Sequence, residues 1–196
     1  MHSLIRTLAA VLPLAAAAAP SGGASARSAR STPGCTSLSF GDFAWTVQSF
    51  TYHAQYTFST PAHQVSSGSV RFNLTNPALP ETAVCAADST QLTDFFYGDF
   101  VYHCQAPATG SGTATTFAFS RPSGLLTVNQ TWTCRDEDPQ YPVTFTGYGA
   151  VNLTLDCNTT NYQNPDWQSG EIYSSRTINC APLTLPLTPH DKTAVA

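Results

Sequence analysis

Apolar and polar residues alternate with a period of two over much of the chain. Phe43, Trp45 and Val47 interleave with Ala44, Thr46 and Gln48, the spacing of a strand with one buried face. The alternation recurs over 52–58 through Tyr56 and Phe58, and over 69–75 through Val70, Phe72 and Leu74. Further strands are expected over 115–119, 125–134, 141–146, 150–157 and 172–180. The Pro-studded 183–189 stretch reads as a last edge strand, because proline is confined to sheet edges and strand ends. Turn formers separate these runs: Asn76-Pro77, Gly110-Ser-Gly112, Pro122-Ser-Gly124, Glu137-Asp-Pro139 and Asn164-Pro-Asp166. A helical turn is expected only within 88–96, and even there Phe95-Phe96-Tyr97 leans towards strand. Eight or more short strands at this spacing predict an all-β domain, a compact and mostly antiparallel β-barrel or barrel-like sandwich. It should occupy residues 35–189, with residues 190–196 frayed.

The two flanks of that domain carry different signals. Basic residues in 1–6 followed by an apolar run over 8–19 predict a signal peptide over about residues 1–19. Residues 20–34 are rich in Ser, Gly and Ala and read as a flexible spacer. No later run approaches the roughly 20 apolar residues of a membrane-spanning helix.

Composition narrows the function. Of 196 residues, 42% are hydrophobic, 11% aromatic and 10% charged. So many aromatics can fill a core, which excludes a disordered chain. From Cys35 onward there are five basic residues, with Lys192 the only lysine, and twelve acidic ones, a balance of −7. Such a surface excludes nucleic-acid binding.

Six cysteines, Cys35, Cys85, Cys104, Cys134, Cys157 and Cys180, are an even set in a chain marked for export. They form a disulfide framework with up to 15 possible pairings. No pair has the two-to-four-residue spacing of a zinc finger. Sequons at Asn73, Asn129, Asn152 and Asn158 are candidate glycosylation sites and would place those residues on the surface.

Candidates for catalysis are sparse. His53, His63 and His103 lack the spacing of a metal or nucleophile site, and His103 is expected to face solvent. Arg135-Asp136-Glu137-Asp138 lacks the alternating ligands and turn glycine of a calcium loop and reads as a solvated turn. Glu81, Glu137 and Glu171 are the glutamates a glycosidase pair would draw on, but nothing in the sequence brings two together. No catalytic residue, metal site or cofactor is expected. Trp45 and Trp132 belong to alternating strands and are expected in the core. Trp167, in a polar segment, is the best aromatic for a partner contact, although packing beneath its own loop is the stronger expectation.

Ordered pieces of the chain carry a family resemblance. They are Cys35 with Asp42-Phe-Ala-Trp-Thr-Val-Gln-Ser-Phe50, then Cys85-Ala-Ala-Asp-Ser and Tyr102-His-Cys104, then Phe117-Ala-Phe119 and Ser123-Gly-Leu-Leu126. In this order they resemble the Alternaria major allergen-like family of secreted fungal proteins. The resemblance implies a mostly antiparallel β-barrel with no established enzymatic mechanism, in a family of allergens and of effectors that meet plant defence proteins. It also implies disulfides Cys85–Cys104 and Cys157–Cys180, each removing roughly 3 kcal/mol of unfolded-chain entropy. Cys134 departs from the family pattern, in which the first cysteine can link two protomers. Here Cys35 is expected to pair with Cys134 inside a monomer, the alternative being a covalent dimer through Cys35.

The expected function is therefore that of a secreted, glycosylated, non-enzymatic protein, allergen-like or effector-like, binding a host or extracellular protein through its loops. Residues 61–67, 105–113 and 158–170 are the candidate loops. The rival expectations are a secreted carbohydrate-active hydrolase, which needs two converging carboxylates, and a cell-wall or small-ligand-binding protein, which needs an open aromatic cavity.

Overall fold

The computed structural model describes residues 33–105 and 112–196. The expected signal peptide, nearly all of the spacer and the centre of the 105–113 loop lie outside the described residues. Among the described residues, eleven strands follow one short helix, α1 (Cys35–Phe40). The strands are β1 (Trp45–Thr60), β2 (His63–Thr75), β3 (Thr82–Ser89), β4 (Tyr102–His103), β5 (Ala114–Phe119), β6 (Leu125–Cys134), β7 (Val143–Asn152), β8 (Cys157–Gln163), β9 (Ser174–Cys180), β10 (Leu183–Leu187) and β11 (Pro189–Val195). No helix among the described residues is long and apolar enough to cross a membrane.

Two antiparallel sheets result. The first runs β3-β2-β1-β9-β8, with β10 also on β1, and the second runs β11-β7-β6-β5-β4. Sixteen residues long, β1 serves two partners on one edge: its first part pairs β10 and its second part pairs β9. The chain makes its last passage from the first sheet to the second between β10 and β11, across Thr188. Neither sheet closes on itself, so the barrel expectation is corrected to an open, sandwich-like arrangement. Closure would need a continuous ladder from β3 to β4. The two-residue β4 ends at the Cys85–Cys104 disulfide, and one bridge, Val84 to Gln105, forms beside it.

Alternation does the packing. Inward residues of β1 and β2 (Phe50, Tyr52, Phe72) meet those of β5 (Phe117, Phe119), with ring centroids 5.0 Å apart for Phe72–Phe117 and 5.2 Å for Phe50–Phe119. The slab between the sheets is filled by these rings rather than hollow. At the other end Trp132 stacks on Phe145 at 5.6 Å, and both Trp45 and Trp132 are fully buried, as expected. Trp45 lies against Gly147 and Gly149 of β7. A Cβ at Gly149 would sit 2.8 Å from the indole, and one at Gly147 would sit 2.9 Å from it.

A buried amide chain ties the turn after β2 to the second sheet: Asn76 Nδ2 donates to Gln130 Oε1 at 2.8 Å, and Gln130 Nε2 donates to Thr115 Oγ1 at 3.0 Å. Satisfying buried polar groups in this way avoids the desolvation penalty of leaving them bare.

Three disulfides staple the fold: Cys35–Cys134, Cys85–Cys104 and Cys157–Cys180. The first holds α1, which the sequence does not announce, against the end of β6. Ser39 of α1 accepts the Trp132 indole N–H at 2.8 Å.

Several expected elements differ. Residues 190–196, expected to fray, supply most of β11, paired from Pro189 to Val195 with β7. Lys192 anchors that strand, its Nζ donating to the Gly41 carbonyl at 2.7 Å and lying 5.0 Å from the Phe43 ring. The 61–67 loop is a two-residue hairpin, Pro61-Ala62, followed by β2 itself. The first half of the 158–170 loop is β8.

The glycine pair of β7 gives a direct stability test. Gly149→Ala should cost about 1–3 kcal/mol through overpacking, visible as a lowered Tm in thermal unfolding. Gly41→Ala, whose added Cβ would meet its neighbours at an ordinary 3.6 Å, should stay within about 0.5 kcal/mol of the parent.

Candidate binding surface

Between β3 and β4 the chain makes a loop over residues 90–101, closed at its base by Cys85–Cys104. Consecutive aromatics fix it. Phe95, at a φ of 68°, turns the backbone so that both Phe95 and Phe96 face inward. The Phe95 ring covers Gly68, where any Cβ would come within 2.6 Å of it, and lies 5.1 Å from the Tyr56 ring. Phe96 packs edge-on against Tyr52 and Tyr102, at 6.3 and 5.8 Å.

Hydrogen bonds hold the loop backbone. Tyr56 Oη donates to the Thr93 carbonyl at 2.7 Å and Tyr52 Oη to the Asp94 carbonyl at 3.2 Å. Ser89 Oγ donates to the Phe95 carbonyl, and the Thr93 and Asp94 amides both donate to Tyr97 Oη. Burial pushes the phenols of Tyr52, Tyr56 and Tyr102 up, so the hydroxyls stay protonated as donors. For Tyr52 the Tyr56 phenol adds to that rise and Arg121 opposes it; for Tyr56 it is Arg176 that opposes. Arg121 and Arg176 stand over these two rings at 5.1 and 5.6 Å.

Held in this way, the loop turns Leu92, Phe100 and Val101 outward, at 52%, 56% and 63% exposed. A hollow of about 420 Å³ lies on one side, lined by Asp88, Gln91, Phe100 and Tyr102. A second, about 230 Å³, lies beside Leu92 and Thr93 against Tyr56, Phe58, Gln64 and Arg176. Chemically this is an apolar rim with polar walls.

The residues singled out from sequence fall elsewhere. Trp167 is half-buried, its indole N–H donating to the Glu171 carbonyl at 2.9 Å and its ring edge-on to Tyr173 at 5.8 Å, so it packs within its own turn. His103 is exposed, as expected. His53 Nδ1 bonds Asn179 at 2.6 Å, and His63 Nδ1 bonds Ser59 at 2.8 Å across the hairpin. Glu81, Glu137 and Glu171 stand in three different connections, β2–β3, β6–β7 and β8–β9. All four sequon asparagines are exposed.

Asp136 lies near Cys35 and Cys134, but those sulfurs are bonded to each other, and the carboxylate accepts the Thr36 amide at 3.1 Å and the Thr36 hydroxyl. The Thr36 hydroxyl holds the Asp136 carboxyl below the usual aspartate range. It is a clamp on α1.

The helical turn expected within 88–96 does not form, and the sequence does not mark the 90–101 loop as a surface. The available signal was two adjacent aromatics inside a Cys85–Cys104 span, flanked by further apolar residues among Asp and Gly.

The sequence model of the family described as Alternaria alternata allergen 1 matches residues 47–180. No curated protein and no solved structure gives a significant match.

Two outcomes test this geometry. Tyr56→Phe should cost about 1 kcal/mol and speed amide hydrogen exchange over residues 92–97, measured by mass spectrometry, while β6 and β7 stay protected. Because the folded-state acidity of Asp136 is increased, its contribution is present above the unfolded pKa, near pH 4, and is lost as pH falls through the lower folded value. Asp136→Asn should therefore destabilise the protein at neutral pH, and the difference should shrink on acidification in denaturant titrations.

Proposed function

Because the chain belongs to the Alternaria alternata allergen 1 family, matched over residues 47–180, we propose that it is a secreted, non-enzymatic, allergen-like protein that binds an extracellular protein partner through the 90–101 loop. Family membership and three internal disulfides are consistent with an oxidising, extracellular setting.

The observation that carries the binding role is the exposure of Leu92, Phe100 and Val101 on a loop whose backbone is hydrogen-bonded from beneath at Thr93 and Asp94. An apolar anchor on a pre-ordered loop loses little conformational entropy on binding. Aromatic and aliphatic anchors that become desolvated dominate interface energies. The partner this surface suits is a protein with a shallow apolar groove, edged by groups able to meet Asp88, Asp99 and Arg176.

The test is capture from host extracellular fluid with the full protein and with Leu92→Ser/Phe100→Ser/Val101→Ser. The triple variant should keep its Tm within about 2 °C, since the three side chains are exposed, and bind the captured partner at least tenfold more weakly, about 1.4 kcal/mol. Equal capture by both proteins, or turnover of glycans with no partner recovered, would overturn the proposal.

A further inference from the structure

Three of the four sequon asparagines stand directly across a strand ladder from a large apolar side chain that faces solvent. Asn73 of β2 is paired with Val84 of β3, Asn129 of β6 with Tyr148 of β7, and Asn152 of β7 with Leu125 of β6. Val84 is 43% exposed, and Tyr148 and Leu125 are each 37% exposed. Directly opposed residues of an antiparallel pair project from the same sheet face, with Cβ atoms about 4.5–5.5 Å apart. Each asparagine therefore rises from the outer face of a sheet beside an uncovered apolar neighbour. Asn158 differs: its partner across the ladder is Asn179, whose side chain is bonded to His53.

We propose that Asn73, Asn129 and Asn152 carry N-linked glycans whose first sugars lie over Val84, Tyr148 and Leu125. In the transfer, the asparagine Nδ2 bonds the anomeric carbon of an oligosaccharide carried on a lipid diphosphate. The carbon–oxygen bond to that diphosphate breaks, and the amide proton is released. The linked N-acetylhexosamine has an apolar C–H face and an acetamido methyl. Tyr148 offers such a face an aromatic surface, and Val84 and Leu125 offer aliphatic ones. The glycans thus cover apolar positions on the outer faces of both sheets that charge does not mask. At Asn158, facing the polar Asn179, a glycan would have no such neighbour.

The proposal rests on the secretory route proposed above and is independent of which partner the 90–101 loop binds. The full chain is expressed in a eukaryotic secretory host and its glycopeptides are mapped from the medium. Asn129→Gln is then compared in the parent chain and in a Tyr148→Thr background, with Asn152→Gln and Leu125→Ser as a second pair. Occupied Asn73, Asn129 and Asn152 are expected. Asn129→Gln should lower Tm by about 2–4 °C in the parent chain, where Tyr148 stands beside it, and leave Tm unmoved in the Tyr148→Thr background. Secreted protein bare at these three positions, or equal Tm losses in both backgrounds, would overturn the glycan cover. A chain retained inside the cell would instead overturn the secretory route itself.

Discussion

The Trp45 indole rests on bare backbone, and the spacing of the two sheets follows from that contact. A tryptophan buries on the order of 150–250 Å², which at roughly 25 cal/mol per Å² is about 4–6 kcal/mol of transfer free energy. Its indole N–H has no hydrogen-bond partner among the described residues, an omission that costs about 1–3 kcal/mol, so packing wins. It wins because Gly147 and Gly149 leave room on β7, where any Cβ would fall inside the ring's van der Waals envelope. Leu187 of β10 shares the same niche, within 3.2 Å of where a Gly149 Cβ would stand. The crossing from β10 to β11 is thus positioned by the same glycine pair that accepts Trp45.

From that end the aromatic slab runs to the loop over residues 90–101. Tyr52 touches Phe119 on one side and Phe96 on the other, so the rings that join the sheets also seat the loop. The surface of this loop and the core are in this sense one packing problem. Phe95 and Phe96 are core residues that belong to a loop, and their burial is what leaves Leu92, Phe100 and Val101 outside. The Cys85–Cys104 disulfide closes the span at its base and limits how far the loop can spread when the protein breathes.

Strand existence was legible wherever one face is buried and the alternation is unbroken: the expected 125–134 strand coincides with β6. Where the pattern changes parity, sequence reasoning saw two strands. Trp45 and Val47 are odd-numbered while Tyr52 and Tyr56 are even, and the chain reconciles them by inserting Ser49 as a bulge at a φ of 53°, so that one long β1 keeps one face inward. Gly147 and Gly149 split β7 in a similar way into the expected 141–146 and 150–157 strands, because inward positions without side chains carry no hydrophobic signal. An edge strand such as β8, exposed along nearly its whole length, offers no alternation at all. The loop surface was illegible for a different reason: Phe95 and Phe96 are adjacent, and only the left-handed backbone at Phe95 lets two neighbours point the same way.

The scarcity of charge has a structural counterpart on the outer faces. Threonine occupies cross-strand positions there, with Thr131 and Thr146 hydroxyls 3.0 Å apart and Thr133 and Thr144 hydroxyls 3.1 Å apart. A β-branched residue with a hydroxyl suits a half-exposed strand on both counts, stiff at χ1 and able to hydrogen-bond its neighbour or water. Polarity supplied this way needs no counter-ion and no long side chain to be ordered, and among the described residues a single exposed ion pair, Arg71–Asp88, is drawn across the outside of a sheet. Hydroxyl faces are only weakly hydrated compared with charged ones, however, and give little electrostatic repulsion between copies. An apolar residue left among them, such as Tyr148, is therefore less well shielded than it would be among lysines and glutamates. A charge-poor β surface gains from some other device where an apolar side chain breaks through it, and sequon asparagines stand opposite three such residues, Val84, Tyr148 and Leu125, while Val65, Tyr162 and Val195 face Thr57, Ser175 and Thr144 instead.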